Sequence, residues 1–345
     1  MNKQKWSLYG YGLIGREVAR QISLPHVSDR LGLESEPEFI VRSDGAYGPD
    51  GKKLNQKELT TPKVGFVAIP SSGDGSLAKN YISQILDNGG RVVTAEKAAL
   101  SGFFSELKDK SDNFKRFGIN ASVGGGTRMM EVAKTYTRDL SNITQIHLVV
   151  NGTLTSIMSS IGPTSGSGVP LGQAVEQAIA LGFAEPGADT PADVIAAEAA
   201  GDLPKKSSIF INVLGLTKKI VSWQDMSFEI TEKDLHVIEE EAITRRAIVS
   251  LYNLDYSSVG PESGIIGGFD KTIENWRVVA GFRNTMRNPL FTSLGRLTGA
   301  GNGLVIGLGP NESDGVIKLE GQGAGAKPTV NTMLDDYLKI REFEQ

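Results

Sequence analysis

The turn Gly10-Tyr11-Gly12-Leu13-Ile14-Gly15 constrains this chain more than any other feature. It follows the run Trp6-Ser7-Leu8-Tyr9 and precedes a stretch in which Ile14, Val18 and Ile22 share one helical face, so it reads as a strand passing through a glycine turn into a helix. Gly10 permits the tight turn, Gly12 lets backbone approach a pyrophosphate, and Gly15 allows helix and strand to pack closely. The helix N-terminus then offers backbone N–H groups and a positive dipole end to phosphates. In a chain with 41 glycines the spacing alone is weak, but the strand before it and the helix after it are the context a dinucleotide-binding motif requires. Gly10, Gly12, Leu13, Ile14 and Gly15 are therefore the first cofactor-binding candidates.

Strands then alternate with helices. Expected strands are Glu38–Val41, Val64–Ile69, Arg91–Thr94 and Phe117–Ala121, with Asp44–Leu54 as a polar loop and a helix through Ile82 and Ile85. This alternation implies a parallel sheet with right-handed crossovers, and ligands of such sheets bind beyond the carboxyl ends of the strands. Pro70, Ser71, Thr94 and Gly124–Gly126 converge there. From about Gln145 a helix-rich and then a strand-rich stretch, Lys219 to Ile317, indicate a second, α+β domain. Val330, Met333, Leu334, Tyr337 and Ile340 sit at helical spacing near the C-terminus. The expected division is a dinucleotide-binding domain over 1–144, completed by a C-terminal helix within 323–345, and a catalytic and dimerisation domain over 145–322. The fold class is α/β, a Rossmann-like domain joined to that α+β domain.

Composition removes several functions. The 345 residues carry a net charge of −4, which leaves no basic surplus for nucleic acid. With no cysteine there is neither disulfide nor thiolate chemistry. The chain enters its first strand almost at once, leaving no room for a signal peptide, and no segment approaches the ~20 apolar residues of a membrane span. A cytoplasmic location and a small-molecule substrate follow as expectations. His26, His147 and His236 are scattered, which argues against a histidine metal site or triad.

Where the second strand ends, Val41-Arg42-Ser43-Asp44 bears on the cofactor. An arginine there accommodates a 2′-phosphate, whereas an acid binds a ribose hydroxyl. Arg42 and Ser43 favour NADP, and Asp44 keeps NAD open.

Five further segments resemble one family. Val93-Thr94-Ala95-Glu96-Lys97-Ala98-Ala99-Leu100, Ala121-Ser122-Val123-Gly124-Gly125-Gly126, Asn151-Gly152-Thr153, Leu181-Gly182-Phe183-Ala184-Glu185-Pro186 and Gly321–Gly325 with Pro328-Thr329 resemble, in order, segments of the homoserine dehydrogenases. The resemblance runs from Gly10 to Thr329 and leaves no length for the C-terminal regulatory domain that some members carry. It implies reversible NAD(P)-dependent interconversion of L-homoserine and L-aspartate 4-semialdehyde in threonine and methionine biosynthesis, by a homodimer. A related oxidoreductase for another short hydroxy or amino acid, and a non-catalytic nucleotide-binding homologue, are the alternatives.

The resemblance also assigns residues. The family's Asp and Lys, four apart, are similar in register to Asp202 and Lys206 of Gly201-Asp202-Leu203-Pro204-Lys205-Lys206, which share a helical face. A shorter alignment places Glu198 and Asp202 at those positions, and the plain structural reading makes Asp202 a helix cap. Lys97 lies just past a strand end, near the expected nicotinamide position. Glu185 is implied to accept the substrate ammonium, with Asn151 and Thr153 as further substrate contacts. Gly323 and Gly325 join the cofactor set. The SVGGG turn implies a monovalent cation held near Asn120, Val123 and Gly125. Departures at Glu96, Asn120, Thr127 and Arg128 bear on which substrate is used.

Overall fold

The computed structural model describes residues 3–71, 73–162, 168–183, 190–256, 264–309 and 315–343. Contacts divide the chain into two compact units, Met1–Gly126 with Ala326–Gln345, and Thr127–Gly325.

The first unit alternates strand and helix: β1 Ser7–Tyr9, α1 Leu13–Ile22, α2 Pro25–Leu31, β2 Ile40–Arg42, β3 Gly45–Tyr47, β4 Lys53–Leu54, β5 Val64–Val67, α3 Ser76–Asp87, β6 Arg91–Thr94, α4 Ala98–Gly102, α5 Phe104–Lys110 and β7 Phe117–Gly118. The sheet order is β4-β3-β2-β1-β5-β6-β7, with β2, β1, β5, β6 and β7 parallel. β1 is therefore flanked by strands from opposite directions of winding, and the glycine turn leaves its carboxyl end, where such sheets bind ligands. Trp6, Leu8, Phe66 and Val93 from the sheet side pack with Val18 and Ile22 of α1 in one buried core. A C-terminal helix, Ala326–Glu342, closes the same core with Val330, Met333, Tyr337 and Ile340. Trp6 meets Phe66 edge-on at 5.5 Å between ring centroids.

Two sequence expectations are corrected in this unit. Residues 44–54 are not a loop but contain the antiparallel hairpin β3–β4, added to the edge at β2. Gly45, the first residue of β3, holds φ 143° after the Ser43-Asp44 turn, Gly51 at φ 76° turns the chain between β3 and β4, and strands of three and two residues are too short to display alternation. The strand expected over Phe117–Ala121 stops at Gly118, because Asn120 begins a 3₁₀ turn, Asn120–Ser122. The backbone N–H of Asn120 donates to Asp336 Oδ2 at 2.7 Å and its Nδ2 to Oδ1 at 2.5 Å, which draws the chain out of the sheet.

The second unit comprises α6 Met129–Tyr136, β8 Ile143–Val149, α7 Gly152–Ile161, α8 Leu171–Ala180, α9 Pro191–Ala197, α10 Leu203–Leu214, α11 Glu232–Glu240, β9 Arg245–Asn253, β10 Ile266–Ile273, β11 Trp276–Asn284, α12 Thr292–Gly295, β12 Gly301–Leu308 and β13 Val316–Gln322. The strands form one antiparallel sheet, β10-β11-β9-β8-β12-β13. β8 and β9 are buried along nearly their whole length, so both sheet faces are covered there. On one face Val149, Ile248 and Val305 pack under Phe291, Leu294 and Leu297. His147 lies on that face, opposite Ser250 in the ladder, with Nδ1 at 2.7 Å from the Ser250 hydroxyl and its ring against Phe291. Arg283 donates to the same hydroxyl and to Tyr252. On the side of α7, that helix packs against β9 and β12 and pairs with α8, while α10 packs on α6. No helix among the described residues is long and apolar enough to cross a membrane.

Candidate active site

In the first unit the glycine turn has the stereochemistry read from its sequence. Gly10 adopts φ 98°, and a Cβ there would lie 2.4 Å from the Ala68 carbonyl oxygen. A Cβ on Gly15 would lie 2.0 Å from the Gly10 oxygen, whereas one on Gly12 would meet nothing within 4 Å. Gly15 thus serves internal packing and Gly12 faces open space, the division of labour a pyrophosphate cradle needs. Gly12 stands at the N-cap of α1, and among the described residues no side chain caps this first turn, whose N–H groups face the turn where a phosphate would lie. Leu13 is exposed beside this opening, and Ile14 packs against the core.

Arg42 ends β2 with its guanidinium between two tyrosine rings, 4.6 Å from the centroid of Tyr11 and 4.7 Å from that of Tyr47. Tyr11 belongs to the glycine turn and Tyr47 to the hairpin missed by sequence reasoning. Asp44 accepts a 2.7 Å hydrogen bond from the Tyr47 hydroxyl, which holds its carboxyl below the usual range. Ser43 is exposed between them. These side chains fit a cofactor bearing a 2′-phosphate: the cation is oriented by stacking and the competing acid is engaged.

The ends of β5 and β6 are tied together. Thr94 Oγ1 donates to the Val67 carbonyl at 2.8 Å and accepts from the Glu96 N–H at 3.0 Å. Ser71 Oγ accepts from the Lys97 N–H at 2.9 Å, and Pro70 is exposed next to it. Glu96 is buried and its two oxygens accept from the N–H groups of Ala98 and Ala99, each at 2.7 Å. The departure at Glu96 is thereby accounted for as a cap on the start of α4. Lys97 is the residue at the N-terminal boundary of that helix and is half-buried.

Asn120 is likewise accounted for by its pairing with Asp336. The Gly125 carbonyl accepts from Thr332 Oγ1 at 3.0 Å, and Val123 is fully buried. Among the described residues no group of three or more His, Cys, Asp or Glu side chains could hold a metal ion.

The second unit carries a compact polar cluster. Asn151 caps α7, its Oδ1 accepting the Leu154 N–H at 2.7 Å, which fixes the amide so that Nδ2 points away from the helix. Nδ2 donates to Glu198 Oε2 at 2.6 Å and to Asp202 Oδ2 at 2.9 Å. The same Asp202 oxygen pairs with Lys206 Nζ at 2.7 Å, with side chains 21% and 12% exposed. Asp202 and Lys206 are thus brought together, and Glu198, carried only by the shorter alignment, stands beside them. Lys206 lies in the first turn of α10, and Glu198 and Asp202 begin and end the π-helical turn that joins α9 to α10. Such turns recur at functional sites because they reorient side chains within a continuous helix. Thr153 Oγ1 donates to the Phe183 carbonyl at 2.6 Å, anchoring the chain shortly before Glu185, which lies outside the described residues. Gly152 is close-packed with Ala300 and Ala324, and Gly323 with Asn302, so the segment of Gly323 and Gly325 borders the α7 N-terminus. Thr127 packs against Gly321, and Arg128 holds φ 55° before α6.

A dinucleotide cradle on a parallel sheet, with a carboxylate–lysine pair on a separate α+β unit, defines the class of nicotinamide-dependent oxidoreductases. Residues 130–338 match the family model described as homoserine dehydrogenase. The chain is 26% identical over 341 residues to a homoserine dehydrogenase of Mycobacterium leprae (strain TN), covering 96% of this chain and 71% of that one. Its fold is similar to that of homoserine dehydrogenase from Thermoplasma acidophilum, with TM-score 0.71, 17% identity and 99% of each chain covered. A hyperthermophilic archaeal homoserine dehydrogenase in complex with NADPH gives 0.65, at 19% identity over 99% of this chain and 98% of that one. The Staphylococcus (S. aureus) homoserine dehydrogenase gives 0.62 at 19% identity, covering 100% of this chain and 78% of that one. The chain belongs to the homoserine dehydrogenase family.

Proposed function

We propose that the protein interconverts L-homoserine and L-aspartate 4-semialdehyde with NADP(H), the cofactor held by the first unit and the substrate by the second. The observation that carries this reading is the Asp202–Lys206 ion pair at 2.7 Å, fixed by Asn151. The bound nicotinamide supplies and takes up the hydride. Lys206, as its ammonium, donates a proton to the substrate oxygen as the aldehyde becomes an alcohol, and takes the hydroxyl proton in the reverse direction. Asp202 holds that ammonium in place, and Asn151 holds Asp202. Lys97 is a second proton-transfer candidate. Gly10, Gly12, Gly15 and the α1 N-terminus would hold the pyrophosphate, and Arg42 the 2′-phosphate. NADP rather than NAD is supported by the stacked Arg42, by the engagement of Asp44 with Tyr47, and by the archaeal relative's NADPH complex. Glu185 as an ammonium partner, a cytoplasmic homodimer and a place in threonine and methionine biosynthesis rest on the family resemblance.

The test is nicotinamide absorbance on mixing the protein with L-homoserine and NADP⁺, repeated with NAD⁺ and with Lys206→Ala. Reduction of NADP⁺ that is lost in the variant supports both reaction and site. Absence of reduction with the intact protein overturns the reaction.

A further inference from the structure

Pro204 stands at the start of α10 and has no N–H, so the bond that an α-helix would draw from residue 204 to the Ala200 carbonyl cannot form. A proline ring also crowds the carbonyl four residues before it, which favours a break in the α-helical ladder. The break is the π-helical turn over Glu198–Asp202, where the Leu203 N–H reaches back five residues to the Glu198 carbonyl. The Ala200 carbonyl receives the Ser227 hydroxyl, at 2.9 Å. Ser227 lies near the end of a strap, residues 216–228, that runs back along α10. Val221 of the strap exchanges two bonds with the Asn212 amide, its N–H donating to Oδ1 at 2.8 Å and its carbonyl accepting from Nδ2 at 2.9 Å. Further along, the Trp223 ring lies 5.0 Å from Lys205 Nζ. Adjacent residues of a helix point about 100° apart, so Trp223 engages Lys205 while Lys206 pairs with Asp202. Val221, Met226 and Phe228 are buried, which seats the strap. Its clamps thus fall on Asn212, Lys205 and Ala200 in turn, and the last lies within the turn whose two end residues, Glu198 and Asp202, bond to Asn151.

We propose that Ser227 is a positioning residue for the reaction: its hydroxyl supplies the donor that Pro204 lacks, and so holds the π-helical turn that sets Asp202 against Lys206 and Asn151. This rests on the proton-handling role given above to the Asp202–Lys206 pair. Ser227 acts through the backbone at Ala200 and not on the substrate, so its loss displaces the pair without removing either member.

The experiment measures kcat and KM for L-homoserine with NADP⁺, and the melting temperature, in the intact protein, in Ser227→Ala, Ser227→Thr and Pro204→Ala, and in Pro204→Ala combined with Ser227→Ala. Ser227→Ala should lower kcat about tenfold with KM nearly unchanged, because a displaced proton donor weakens the transition state more than substrate binding. Ser227→Thr keeps the hydroxyl and should restore most of kcat. Pro204→Ala gives the helix its own N–H for the Ala200 carbonyl, so removing the Ser227 hydroxyl in that background should cost about threefold or less. A rise in KM alone, no recovery in Ser227→Thr, or an equal fall in kcat in both backgrounds overturns the assignment. A lowered melting temperature with kcat intact reduces Ser227 to a structural contact and overturns it too. If the intact protein does not oxidise L-homoserine, the reaction itself fails and the assignment with it; if it does and Ser227→Ala is indifferent, only the assignment fails. Should Ser227→Ala not fold, the same comparison is made between Ser227→Thr and Ser227→Val, which differ in the hydroxyl.

Discussion

The hydroxyl of Tyr47 donates to the Asp44 carboxylate at 2.7 Å, so the acid best placed to bind a ribose hydroxyl is committed to a neighbouring ring. Arg42, stacked on that same ring, is the residue proposed above to read the 2′ position. Arg42→Ala should therefore raise KM for NADP⁺ by about tenfold or more, with a smaller effect on NAD⁺. Tyr47→Phe should release Asp44 and improve kcat/KM for NAD⁺. An unchanged NADP⁺/NAD⁺ ratio in both variants sinks this account of cofactor choice.

Gly12 and Gly15 of the turn should fail differently. Gly15→Ala forces a methyl to 2.0 Å from the Gly10 oxygen and should lower the melting temperature, consistent with about 1–3 kcal/mol for overpacking. Gly12→Ala meets no protein atom within 4 Å and has φ −76°, which alanine accepts, so it should melt normally yet bind NADP⁺ poorly. Thermal denaturation alongside cofactor titration separates the two, and a Gly12→Ala protein that binds NADP⁺ normally removes the turn from the cofactor site.

Lys206→Ala should reduce turnover roughly a hundredfold or more, the usual scale of acid–base catalysis. Asp202→Asn should reduce it as well, because the amide cannot hold the lysine as an ion pair. Near-normal kcat for Lys206→Ala would transfer the proton-handling role to Lys97.

Asn120 and Asp336 form a matched pair in which a buried carboxylate receives two hydrogen bonds. Asn120→Glu places two carboxylates together and should destabilise by about 3 kcal/mol. Adding Asp336→Asn should recover much of that loss. Denaturant melts of the single and double variants test the coupling, and simple additivity would disprove it.

His147 is completely buried, and burial, followed by the charge of Arg283, holds its pKa well below the ordinary 6.5. As pH falls below that ordinary value the unfolded chain takes up a proton that the folded chain refuses. The contribution to stability is thus whole above it and lost progressively as pH falls toward the depressed folded value. His26 and His236 are exposed. His147→Gln should therefore flatten the fall in melting temperature from about pH 7 to about pH 5. An equal fall in the variant would locate the acid sensitivity elsewhere.

What the sequence displayed and what it concealed have separate physical origins. Gly10 and Gly15 were legible because only glycine meets their steric demands, and the C-terminal helix was legible because five apolar residues kept one period. The β3–β4 hairpin was concealed because backbone hydrogen bonds and glycine turns, rather than an apolar pattern, make it. Glu96 and Asn120 looked like substrate-site departures, yet their partners are two and three residues away for Glu96 and on the distant C-terminal helix for Asn120. Such local capping and long-range pairing leave no periodic trace. The bond from Asn151 to Asp202 and Glu198 spans some fifty positions in sequence, so the part of the site that joins these segments is visible only after folding.

The core of the first unit is closed by Val330, Met333 and Tyr337, residues separated from Trp6 and Phe66 by the whole of Thr127–Gly325. During synthesis the glycine turn leaves the ribosome early, but the helix that seals the hydrophobic layer beneath its sheet is translated only after the second unit. The nucleotide-binding half must therefore wait, with an open core, for the other half to be made. A nascent chain halted before Ala326 should expose that apolar layer to chaperones, even though all the glycines of its first turn are already present.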